Sequence, residues 1–159
     1  MSIPSHLSSY LDQRCIRYEV CLHDHSRTSA ETARTAHIPP GQLAKSVILE
    51  DDAGCVMAVI PADKTVVVDD FARMLGRHQL KLANEARIAM LFDDCDRGAI
   101  PPVGMAWGIP TIVEDELDAA DIVFMEGGDH ERLLRMSHDQ FDELMWAQPH
   151  GHFCAAATH

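Results

Sequence analysis

The chain reads as an α/β or α+β domain built on a mixed, largely antiparallel sheet, and three observations carry that reading. Short apolar runs of strand length recur along the chain, several with two-residue alternation. Between them stand segments of two or three helical turns that open on capping residues, Thr28, Asp69, Asn84 and Ser137. The succession does not follow a strict strand–helix–strand repeat, so a doubly wound parallel sheet is not expected.

In chain order, Leu7, Tyr10 and Leu11 share one face of an opening helix, and Ile16-Arg17-Tyr18-Glu19-Val20 alternates as a strand. Thr28-Ser29-Ala30-Glu31 has capping-box spacing, and Pro39-Pro40-Gly41 closes the helix it starts. Strands are expected over Ala44 to Leu49, Cys55 to Ile60 and Thr65 to Val68. Asp69 caps a helix through Leu75, and Asn84 caps another through Phe92. After a glycine- and proline-containing loop, Pro110 to Val113, Ile122 to Met125 and Leu133 to Met136 read as strands. Ser137-His138-Asp139-Gln140 repeats the capping-box spacing before a last helix with Phe141, Leu144 and Met145. Residues 1–145 form one unit in this reading, and residues 146–159 a mobile tail.

At 159 residues the chain has the size of one domain, and with 47% hydrophobic and 24% charged residues it is far from disordered or coiled-coil compositions. The longest apolar stretch, Cys55 to Ala62, contains a proline and is too short to cross a bilayer; with no leader-like start, a cytoplasmic, membrane-free protein is expected. Five cysteines without a C-x-x-C pair suggest neither a disulfide framework nor a thiolate zinc site. The net charge of -12 argues against a protein that grips nucleic acid, DNA included, mainly by neutralising phosphates. That charge is unevenly spread. Residues 92–159 hold three basic against fourteen acidic residues, whereas residues 1–91, including Arg27, Arg34, Lys64, Arg73, Arg77, Lys81 and Arg87, are near balance. An anionic ligand would therefore approach the N-terminal part.

Three local features rise above this background. Lys45 falls on the same strand face as Val47 and Leu49, where a cation needs a reason; it either reaches solvent over its stem or stands at a pocket mouth to meet an anion or polarised carbonyl. Gly98-Ala99-Ile100-Pro101-Pro102-Val103-Gly104 is a stiffened loop whose remaining amides can point together at an oxyanion, the alternative being a plain connection. Glu126-Gly127-Gly128-Asp129-His130 is a turn after a strand, and His130 is either an exposed hairpin residue or a group for proton transfer or substrate binding. His23-x-His25 and His150-x-His152 raise a metal hypothesis, but a catalytic zinc needs three oriented ligands and the second pair lies in the expected tail. No metal and no cofactor are expected.

Taken together, Thr28-x-x-Glu31-x-Ala33, Ala44-Lys45-Ser46-Val47, Gly98 to Gly104 and Glu126 to His130 resemble, in order and spacing, the YbaK/ProX family of aminoacyl-tRNA deacylases, relatives of the editing domain inserted in bacterial prolyl-tRNA synthetases. The resemblance spans about residues 5–145. It implies a barrel-like sheet flanked by short helices and hydrolysis of the ester joining a wrong amino acid to the terminal adenosine of tRNA. It also implies roles. Lys45 matches the family's required lysine; Gly98 and Ala99 belong with it as the catalytic set, their amides orienting the ester. Ser46, Ile100, Pro101, Pro102, Gly128 and His130 are assigned to substrate binding. Ser46 departs from the asparagine that several relatives carry after the lysine.

An aminoacyl ester is already activated, so a positioned water, oxyanion stabilisation and the neighbouring ribose hydroxyl suffice in such a mechanism. Cys95 is expected to be a buried thiol rather than a nucleophile. The implied partner is the acceptor end of a mischarged tRNA, held through two to four phosphate contacts, with an aminoacyl-tRNA synthetase as the candidate for selecting the tRNA body. The alternative is a non-catalytic module of the same fold that binds a tRNA end, a nucleotide or a synthetase.

Overall fold

Helix α1 (Ser5–Gln13) is fixed by Leu7 and Leu11, one turn apart and fully buried in this computed structural model, which describes residues 3–26 and 28–157. Strand β1 (Glu19–Leu22) starts later than the alternating run suggests: Ile16 is buried but precedes the ladder. Helix α2 (Ser29–Thr35) begins at the expected cap, where Thr28 Oγ1 accepts the Glu31 amide at 3.1 Å. A 3-10 turn at Pro40–Gln42 leads into β2 (Leu43–Asp51), which returns as β3 (Gly54–Pro61) and continues to β4 (Lys64–Val66).

Helix α3 (Val68–Leu75) takes up Val68, which the sequence pattern assigns to a strand. Val67 is its N-cap, and Asp69 lies inside the first turn with Asp70, where both carboxylates favour the positive end of the helix dipole. A two-residue strand, β5 (Lys81–Leu82), precedes α4 (Glu85–Leu91), whose cap is Asn84 as expected, its side chain accepting the Arg87 amide at 2.7 Å. The chain continues through β6 (Thr111–Glu114), β7 (Ile122–Glu126), β8 (Arg132–Ser137), α5 (His138–Leu144), β9 (His150–Gly151) and β10 (Cys154–Ala156). Ser137 caps α5 through the Gln140 amide, but the Gln140 side chain accepts the Arg17 amide at 2.6 Å.

The large sheet has the order β1-β8-β7-β2-β3-β6-β9, with β5 also on β2, while β4 and β10 form a separate pair. Pairs β2–β7, β3–β6 and β6–β9 are parallel and the others antiparallel, so the sheet is mixed and mostly antiparallel. The path is open: among the described residues its end strands β1 and β9 do not pair. β3 lies between β2 and β6 and is buried on both faces. Met57 and Val59 join one cluster with Leu7, Leu11, Phe92 and Phe141, and Val56, Ala58 and Ile60 join another with Phe71 and Phe153. Burial on both sides explains the uninterrupted apolar run Cys55 to Ile60.

Residues 146–157 are not a loose tail. Val113 donates to Pro149 O and Val67 to Phe153 O, β10 pairs with β4, and the buried Phe153 ring packs 4.6 Å from Phe71 between centroids. The Met74 thioether lies against Gly151, on the site where a Cβ would stand. No helix among the described residues is long and apolar enough to cross a membrane.

One irregularity of the sheet positions the site. On one edge of β2, β7 pairs only at Leu43 and Ala44 and β5 only at Leu49 and Glu50, leaving Lys45 to Ile48 without a strand partner on that side. The sheet is split there. Ile48 O accepts the Ala83 amide from the β5 side, so by the strand's two-residue backbone period Ser46 turns its own N–H and C=O toward the split.

Candidate functional site

The loop following α4 fills one side of this split. Ser46 Oγ donates to Ile100 O at 3.0 Å, binding the loop to β2. From behind, the Asp96 amide donates to Gly128 O at 2.7 Å, and His130 Nε2 donates to the Arg97 carbonyl. Thus three segments about fifty and thirty residues apart, around Ser46, Gly98 and Gly128–His130, meet through hydrogen bonds. Gly98 has φ +80°, a region that favours glycine, and this conformation turns the loop inward at Ala99 and Ile100.

Between loop and sheet lies a half-open cavity of about 240 Å³ lined by Ser29, Ser46, Val47, Ile48, Leu82, Ala83, Glu85, Ile88, Gly98, Ile100 and Glu126. A second cavity of about 420 Å³ adjoins it, sharing Glu85, Ile88 and Ile100 and extending to Phe92, Cys95 and Arg97. No hydrogen bond among the described residues uses the amides of Gly98 and Ile100, whereas the Ala99 amide is committed to Asp96 O at 3.0 Å. The expected role of Ala99 as an amide donor to the ester is therefore corrected: its N–H closes a turn, and its side chain is fully buried.

Pro101 and Pro102 are buried and do not line the cavity; they stiffen the exit of the loop. Gly128 and His130 do not line it either. Gly128, at φ +102°, has Pro4 where a Cβ would stand, 2.8 Å away, and His130 is buried at φ +62° with its Nδ1 unpartnered. These two residues buttress the loop rather than face the cavity. Asp129 makes the turn rigid by accepting the Glu131 and Arg132 amides at 3.0 and 2.8 Å and pairing with the Arg132 guanidinium.

Lys45 lies on the opposite face of β2 from Ser46, with Val47 and Leu49 as the strand period requires, and it is half-buried. It is absent from the cavity wall. Burial pushes its ammonium pKa down, the Asp63 carboxylate opposing this, and no hydrogen bond or ion pair among the described residues holds its Nζ. The β2–β7 register sets Leu43 beside Phe124 and Ala44 beside Met125; one step further, where the strands part, Lys45 and Glu126 flank the split.

Glu126 is the residue that sequence reasoning passed over. It ends β7, is 1% exposed, lines the cavity, and neither carboxylate oxygen has a hydrogen-bond partner. Burial pushes its carboxyl up to about 7, the nearby Thr32 hydroxyl working against the rise and the Asp129 charge with it. Its signal was present: an acid directly after the apolar run Ile122 to Met125 has to be either solvent-facing or buried for a purpose. Cys95, expected to be a buried thiol, is only half-buried and lines the second cavity, and desolvation and the neighbouring aspartates raise its thiol pKa, which keeps it a poor nucleophile.

The residues best suited to a metal lie elsewhere. Ligand atoms of Glu114, Glu116, His152 and Cys154 fall within 4.8 Å of one another, and those of Asp115, Asp118 and His150 form a second, exposed group. The ground for discounting His150 and His152, a mobile tail, is removed, because the C-terminal segment is built into the fold. The His23 and His25 pair contributes to no such group among the described residues.

Solved structures resemble this chain over nearly its whole length. A protein described as a candidate trans-editing enzyme for prolyl-tRNA synthetase superposes with a TM-score of 0.81 at 21% identity, covering 95% of this chain and 96% of its own. A hypothetical protein superposes with a TM-score of 0.82 at 23% identity, covering 95% and 100%. In a candidate signal-transduction protein of Marinobacter aquaeolei VT8 the same fold is 31% of a longer chain, at 20% identity and a TM-score of 0.77. At these identities the likeness is one of fold. No curated protein matches in sequence. Residues 23–144, which carry Lys45, the Gly98 loop and the Glu126 turn, match the aminoacyl-tRNA editing domain, and the chain belongs to that family.

Proposed function

We propose that the protein is a trans-editing deacylase that hydrolyses the ester between a wrong amino acid and the 3′ end of tRNA. The observation that carries this reading is the split in the sheet. It sets the unspent amides of Gly98 and Ile100, and by strand period that of Ser46, around a cavity of about 240 Å³, small enough to sieve an amino-acid side chain. A developing oxyanion is stabilised by these preorganised donors. The attacking water is activated by the ribose hydroxyl beside the ester, so no protein nucleophile is required. The adjoining cavity takes the terminal nucleoside. Arg97, which lines the adjoining cavity and pairs with Glu85, and Lys81 and Arg87, chain neighbours of lining residues, supply the positive charge that attracts the acceptor-stem phosphates. Arg27, one of the basic residues of the N-terminal part, lies outside the described residues.

Lys45, desolvated and unpaired at the edge of the split, contributes a cation to the terminal phosphate or the ester carbonyl. A deacylation screen over mischarged tRNAs tests the reading, since turnover separates an enzyme from a binding module. Lys45→Ala should retain the fold and lose about 2 to 4 kcal/mol of transition-state stabilisation. Wild-type turnover in that variant would remove Lys45 from the mechanism.

A further inference from the structure

We propose that Glu126 binds the α-ammonium of the esterified amino acid, so that the cavity is specific for α-amino esters and rejects acyl esters that lack the charged amine. This rests on the reading of the cavity as the aminoacyl pocket and names what recognises the backbone end of its ligand.

A carboxylate that is 1% exposed and makes no hydrogen bond is costly to the fold, and its cost calls for a partner that arrives with the ligand. The other buried acids are satisfied, Glu114 by amides and an imidazole and Asp129 by two amides and a guanidinium; Glu126 has only the Thr32 hydroxyl nearby, which pairs with Ser26 Oγ at 2.5 Å and leaves both carboxylate oxygens without a bond. Ser29 and Ser46 share the cavity wall with it but make no bond to it. An aminoacyl ester has the complementary shape and charge: a carbonyl that needs donors and, one carbon away, a cation that needs an acceptor. Donors stand on the loop side at Gly98 and Ile100, and the acceptor stands at the end of β7. The ammonium of the substrate thus supplies the partner that Glu126 lacks, while the free amides of Gly98 and Ile100 remain for the ester carbonyl. Such a site rejects an isostere lacking the group it was built to pair, because the buried acid is then left alone.

The test uses tRNAs charged with small amino acids, alanine and serine, each presented before and after nitrous-acid deamination, which replaces the amine by a hydroxyl with little change of shape. In the wild-type protein kcat/KM should favour the amino ester by roughly tenfold or more, and Glu126→Gln should reduce that preference to roughly twofold or less, mainly through KM for the amino ester. Equal turnover of both esters by the wild-type protein overturns the inference and leaves the deacylase reading intact. So does a Glu126→Gln variant whose turnover falls equally for both esters, which would make the carboxylate a base for the attacking water. Both preferences are taken relative to the uncatalysed hydrolysis of the two esters, which the electron-withdrawing ammonium already separates, and should Glu126→Gln fail to fold, Glu126→Asp, which keeps the charge but withdraws it, takes its place with the same expected loss of preference. Absence of turnover on every charged tRNA overturns the deacylase reading and this inference with it.

Discussion

Glu114 ends β6 and Glu126 ends β7; both are buried, and the fold treats them in opposite ways. Around Glu114, Oε1 accepts the Phe153 and Cys154 amides at 2.7 and 2.9 Å, and Oε2 accepts the Glu116 amide and His152 Nδ1, each at 3.0 Å. Burial alone would raise its pKa, but the Phe153 and Glu116 amides, with His152 and Cys154 behind them, outweigh it and hold the carboxyl below its ordinary range. Glu126 has the burial without the donors and is pushed up to about 7. The difference separates two uses of one residue type. A saturated acid staples chain segments together, and an unsaturated one on a cavity wall is held ready for a ligand at the expense of stability.

The largest effect should come from breaking the staple. Glu114→Ala leaves two buried amides and an imidazole without their acceptor and frees the C-terminal crossing, costing on the order of 3 kcal/mol or more in chemical denaturation. Turnover per folded molecule should stay within about twofold. A loss below about 1 kcal/mol would dissolve the contrast with Glu126.

Glu126→Gln should act in the opposite direction. The folded-state pKa of about 7 lies above the ordinary 4.5, so the native state holds its proton more tightly, and stability falls as pH rises from 4.5 to 7. Replacing the acid removes that penalty. The variant should be more stable than wild type by about 2 to 3 kcal/mol at pH 8, with the gap closing toward pH 4.5. A variant less stable at pH 8 would mean that the carboxylate is paired within the protein after all.

Gly98→Ala sharpens the comparison on the loop side of the cavity. A side chain at φ +80° is strained by about 1 kcal/mol, so melting should shift modestly while deacylation falls by a larger factor. Equal losses would make the loop a structural element only.

The smallest effect is expected at His152, whose exposed ring has its pKa raised first by the hydrogen bond to Glu114 and then by that carboxylate's charge. Its stabilisation is fully present below the unfolded value near 6.5 and fades as pH rises through the higher folded value. His152→Ala should therefore destabilise the protein more at pH 6 than at pH 9 in thermal melts, and a pH-independent effect would assign the ring to packing.

Much of the architecture was readable without coordinates because its causes are local. Thr28, Asn84 and Ser137 cap helices because hydroxyl and amide oxygens satisfy free N–H groups within three residues. The run Cys55 to Ile60 shows its burial because every second residue faces each side of one strand. Lys45 was legible for the same reason: strand period alone puts it beside Val47 and Leu49.

What the tertiary structure decided depends on pairing between distant segments. The C-terminal segment looks like a polar tail until Phe153 finds Phe71 and the Glu114 carboxylate finds its amides, partners some forty or eighty residues away. Whether Ala99 offers its amide, and whether His130 faces a cavity or a carbonyl, depends on backbone hydrogen bonds with no sequence signature. Residue types and local periods determine which segments become strands and which side chains deserve suspicion. Only the register of β2 against β5 and β7 opens the sheet, and only that opening turns a buried, unpaired glutamate into part of a binding site.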